Sequence, residues 1–73
     1  MLSKSIRRAI ASLCKRIADL HGLYFDFYYM ENVAPDSVLL TRLDRYRFYL
    51  QSHNDPKAIE LLADIDRRML WKN

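Results

Sequence analysis

The sequence is poor in the residues that usually staple or punctuate a small domain: one cysteine, one glycine and two prolines in 73 residues. With Cys14 alone no disulfide can close within the chain, and a lone thiol fits a reducing, cytoplasmic compartment. His21 and His53 stand far apart without the converging thiols or carboxylates that a zinc site needs, so neither metal nor cofactor is expected. A single glycine leaves no phosphate-cradling loop and no flexible lid, and no nucleophile elbow or spaced carboxylate pair is present. Asp64 and Asp66 would point to different sides of a helix. The expectation is a protein that is not an enzyme. No apolar run approaches the roughly 18 residues of a membrane span.

What is present reads as a single all-α domain. Apolar residues make up 51% of the chain, too many for disorder, while so few turn formers argue against a β sandwich. A chain this short buries only about 60–65% of its unfolded surface, so self-association, most simply a homodimer, is the expected aid to stability. The net charge of +3 is unevenly spread. Residues 1–20 carry Lys4, Arg7, Arg8, Lys15 and Arg16 against Asp19 alone; residues 21–40 carry Asp26, Glu31 and Asp36 and no base. The first 17 residues also look like an amphipathic targeting peptide, but later segments need them as a packing partner.

Ile6, Ile10, Leu13, Ile17 and Leu20 step by four and three, which sets them along one side of a helix over 3–21 with Ser3 as N-cap. Gly22 allows two readings. It can close that helix in a left-handed conformation, with Leu23 folding back, or the helix can run on, Tyr24 and Phe27 extending the seam to about Asn32. We favour helix resuming to Asn32, bent or interrupted near Gly22. Pro35 marks another boundary, and Asp36 or Ser37 can cap the helix after it. Leu39, Leu43, Tyr46 and Leu50 repeat the seam in a helix over about 37–52. Asp55 and Pro56 open a last helix over 56–71, lined by Ala58, Leu61, Leu62, Ile65 and Met69. The short connection makes these two an antiparallel hairpin on the first helix, a bundle of three or four helices.

"GLYFDFYYM" places five of the chain's nine large aromatics in six positions. An unbroken helix to residue 31 would reach about 43 Å, against about 24 Å for each later helix. Either the chain turns at Gly22 or the uncovered end meets another copy. Both put Tyr24, Phe25, Phe27 and Tyr28 in the core or an oligomer interface rather than on a ligand platform.

Three surfaces remain. The basic residues Lys4, Arg7, Arg8, Lys15 and Arg16 could track phosphates, or lie on an anionic membrane with Leu2, Ile6, Ile10 and Leu13 immersed, or simply be a solvated face. Their position near a helix amino end opposes the macrodipole. "TRLDRYRFYLQ" interleaves arginines with rings: Arg42, Arg45 and Tyr49 share a stripe with Phe48 at its edge, the composition of a protein-binding hot spot or of a single-strand grip. Trp71, with Ile59 and Leu70, falls off the core face as a clasp or a partner anchor. A helix-turn-helix is disfavoured, because Glu60, Asp64 and Asp66 would face phosphates. The leading expectation is a small protein-binding module, a regulator, adaptor or inhibitor acting through helical faces; nucleic-acid binding through the first helix is the rival, and membrane association a third reading.

Overall fold

A computed structural model describes residues 1–71, with the side chain of Trp71 outside that description. Four helices and no strand make up the described residues: α1 (Lys4–Leu20), α2 (Phe27–Asn32), α3 (Asp36–Tyr49) and α4 (Pro56–Trp71). The molecule is small, 29 × 24 × 16 Å, and every extensive helix–helix packing involves α1.

Helix α1 starts where the sequence places it. The Ser3 hydroxyl accepts the Ile6 amide at 3.2 Å, satisfying one of the orphan donors of the first turn. Ile6, Ile10, Leu13 and Ile17 are buried, with Ala11 and Cys14 beside them. Each large side chain so enclosed contributes about 1.5–3 kcal/mol. The seam stops one step early, for Leu20 is half exposed. The reason is Gly22, which sits at φ +66°. The Leu23 amide donates to the Ala18 carbonyl at 2.9 Å and the Gly22 amide to Asp19 at 3.2 Å, the paired bonds of a Schellman ending. The chain therefore turns, and the compact alternative is realised.

Helix resumes at Phe27 after the Asp26 carboxylate accepts the Tyr29 amide at 3.0 Å. This offset rotates the aromatics off the α1 seam. Phe25 and Phe27 pack edge-to-face at 6.4 Å against the core, half-buried. Tyr24 and Tyr28 do not join it: they are 89% and 70% exposed, which corrects the expectation of a core role for them in the single chain. Met30 and Ala34 supply the burial instead.

A six-residue helix has no stability of its own. Arg7 of α1 holds it. Its guanidinium donates to the Glu31 carbonyl at 2.7 Å, to Met30 at 3.2 Å and to Ala34, the carbonyls around the end of α2. It also donates to Asp36 Oδ1 at 2.8 Å. A cation at a helix carboxyl end is favourable, so the side chain that opposes the α1 dipole supports that of α2. Asp36 is consequently not the N-cap of α3. Pro35 occupies that position without a side-chain bond, and the Asp36 carboxylate takes Arg7 and the Leu2 amide at 2.9 Å.

Leu39, Leu43, Tyr46 and Leu50 are buried as their spacing predicts. Helix α3 ends at Tyr49 rather than residue 52, because Gln51 and Ser52 turn back onto Phe48 and Tyr49 carbonyls at 3.2 Å. Asp55 accepts the Lys57 amide at 3.2 Å before Pro56. Its carboxylate also takes a two-pronged pair from Arg16 at 3.0 Å, and this hydrogen-bonded guanidinium holds the Asp55 carboxyl below its ordinary value. Ala58 and Ile65 complete the core, and no buried side-chain polar atom lacks a partner among the described residues.

Candidate docking groove

The last turn of α1, the Gly22 turn and one face of α3 enclose an open groove of about 540 Å³. Ile17, Ala18, His21, Leu23 and Tyr24 line it from α1 and the turn that follows, and Arg42, Arg45, Tyr46 and Tyr49 line it from α3. Two sets of residues that the sequence keeps apart, the arginine stripe of α3 and the aromatics after Gly22, thus meet through Tyr24.

Tyr49 is fixed from both sides. Its hydroxyl shares a hydrogen bond with His21 Nε2 at 2.9 Å, and its ring stacks on His53 with centroids 4.0 Å apart and planes 6° from parallel. His53 is itself held by Ser52 Oγ at 3.2 Å and the Tyr49 carbonyl at 3.0 Å. Both histidines of the chain therefore serve to orient one tyrosine, a role that their sequence separation conceals.

Charge distinguishes this groove from the rest of the surface. The chain has eight arginines, and six form ion pairs with carboxylates: Arg7, Arg8, Arg16, Arg47, Arg67 and Arg68. Arg42 and Arg45 form none among the described residues. Arg42 donates only to the Tyr46 hydroxyl, at 3.4 Å, and Arg45 is exposed. Among the described residues no carboxylate lines the groove. A guanidinium without a carboxylate keeps its fork of donors available for a planar anion.

The N-terminal bases are placed otherwise. Arg7 is taken up inside the fold, Arg8 pairs with Glu31 at 3.4 Å, Lys15 with Asp19 at 3.4 Å and Arg16 with Asp55. Lys4 donates to Asn32 Oδ1 at 2.7 Å. The face that reads as a free basic stripe in the sequence thus carries its own counter-charges and acceptors. Phe48 is exposed but does not line the groove. Trp71, the remaining expected anchor, has its side chain outside the described residues.

A larger groove of about 720 Å³ lies between the amino terminus and α4, with Leu2, Ile6, Met69 and Leu70. Its two charged side chains, Arg47 and Asp66, pair with each other at 2.8 Å. Cys14 is enclosed, and burial pushes its thiol up to about 11, with Arg42 and Tyr46 drawing it partly back. Among the described residues no three histidines, cysteines or carboxylates come together as a metal site, and no helix is long and apolar enough to cross a membrane. Comparison with protein-family models, with curated protein sequences and with solved structures gives no match.

Proposed function

We propose that this chain is a non-enzymatic protein-binding module that docks a partner through the groove between α1 and α3. The observation that carries the reading is that the two arginines without a carboxylate among the described residues, Arg42 and Arg45, border the same groove as Tyr24 and Tyr49. A partner segment with a carboxylate beside an apolar side chain meets both needs. The carboxylate pairs with a guanidinium, and the apolar group covers Ile17, Ala18 and Leu23. Aromatic burial supplies the affinity, and charge sets the orientation and the encounter rate. Tyr49 is already immobilised by His21 and His53, so little side-chain freedom is lost on docking.

Nucleic-acid binding through Lys4, Arg7, Arg8, Lys15 and Arg16 is the weaker reading, since these side chains have partners within the fold. Selection of random peptides on the immobilised protein tests the proposal. The expected result is enrichment of sequences with Asp or Glu next to an apolar residue, lost with Arg45→Glu. Absence of enrichment on a chain that sediments as a monomer, or enrichment insensitive to that change, refutes it. Binding to a random single strand with a steep inverse salt dependence would put the rival in its place.

A further inference from the structure

The count of charged groups singles out one carboxylate. The chain has nine, and eight of them pair with a lysine or arginine. Asp26 alone does not, among the described residues. Its Oδ1 accepts the Tyr29 amide, and the residue is exposed. It lies in a segment where Leu23, Tyr24 and Tyr28 are 63%, 89% and 70% open to solvent. Among the described residues the unmatched carboxylate thus sits in a segment with three exposed large apolar side chains, and the two unmatched arginines border an open groove.

We propose that the occupant of the α1–α3 groove is the Leu23–Tyr28 segment of a second copy, so that the chain is a two-fold homodimer with Asp26 of each copy facing Arg42 and Arg45 of the other. Two features support this partner. The segment has the chemistry that the groove lacks, a carboxylate among large rings. Donor and acceptor are also contiguous, because Leu23 and Tyr24 are among the residues that line the groove. A two-fold contact requires such continuity, since one self-complementary patch must serve both copies. Docking covers Tyr24 and Tyr28 without any change of fold.

The inference rests on the groove being a docking site, and the experiment separates the two. Sedimentation equilibrium is run over a range of concentrations on the intact chain and on Asp26→Asn, Asp26→Arg and Arg45→Glu, with circular dichroism to confirm that each is folded. Asp26→Asn keeps the α2 cap and removes only the charge. The expected mass is about twice 8.8 kDa. Each reversal should weaken the dimer by about tenfold or more, and raised salt should weaken the unsubstituted dimer. Mixing Asp26→Arg with Arg45→Glu should restore it, because both contacts then pair opposite charges. A monomer at every concentration overturns the inference, as does a dimer indifferent to all three substitutions or a mixture that fails to recover. If such a monomer still selects acidic-apolar peptides, the groove reading survives and only the second copy is excluded.

Discussion

Replacing Arg7 with methionine removes one guanidinium and leaves most of the apolar stem. The side chain is only 13% exposed, and it serves Asp36 at 2.8 Å together with the carbonyls of Glu31, Met30 and Ala34. Breaking a buried ion pair from one side costs about 3–5 kcal/mol. Here the lower end applies, because Asp36 is one-third exposed and keeps the Leu2 amide. We expect a loss of about 3 kcal/mol, against a total stability of roughly 4–11 kcal/mol for a chain of this size. At about 4–8 °C per kcal/mol the midpoint falls by about 12 °C or more. Urea unfolding monitored by circular dichroism measures the loss, and amide exchange locates it. The Val33 and Ala34 amides, which donate to Tyr29 across the end of α2, should lose protection before those of α1. Arg7→Lys should recover less than half, since an ammonium cannot reproduce the fork to several carbonyls. A cost under about 1 kcal/mol for the methionine variant, or full stability with lysine, would refute the account of α2 as a helix anchored by one side chain.

Gly22→Ala should cost about 1–2 kcal/mol in a thermal melt, all of it from the positive φ, because a Cβ there meets nothing within 4 Å. Substitution by D-alanine in a synthetic chain should cost nothing; an equal loss for both would point to a clash instead. The Cys14 thiol, buried and raised to about 11, should react with an aromatic disulfide only as fast as the protein opens. Its linkage to stability has a defined sign: the folded form holds the proton more tightly, so the contribution is complete below the free-thiol value of about 8.5. It declines as pH rises from there through 11. Rapid native-state labelling at neutral pH would contradict both statements.

The elements were legible wherever a periodic apolar seam coincided with a local signal. Ser3, Asp55 with Pro56, the four-and-three steps of α1 as far as Ile17 and those of α3 are all local, and the structure agrees with them. The seam was misleading where backbone geometry took precedence. Tyr24 and Phe27 continue the helical phase of Leu20 in the sequence, but a left-handed glycine resets the phase. Side-chain traffic between segments was not legible. Asp36 has the form of a cap and is a counter-ion to Arg7; the charge imbalance between residues 1–20 and 21–40 is real, yet its two halves neutralise each other at Arg7–Asp36 and Arg8–Glu31. Arg42, Arg45 and Tyr49 were visible as a stripe. Their meeting with His21, Leu23 and Tyr24 depends on the turn and could not be.

The placement of α1 has an evolutionary consequence. Its buried strip of Ile6, Ile10, Leu13, Cys14 and Ile17 is ground shared by three neighbouring helices. A substitution there has to satisfy several surfaces at once, whereas one at the core face of α4 answers chiefly to α1. Sequence drift should accordingly run slowly through residues 6–17 and faster in the outer helices, whose paired surface charges can be exchanged two at a time.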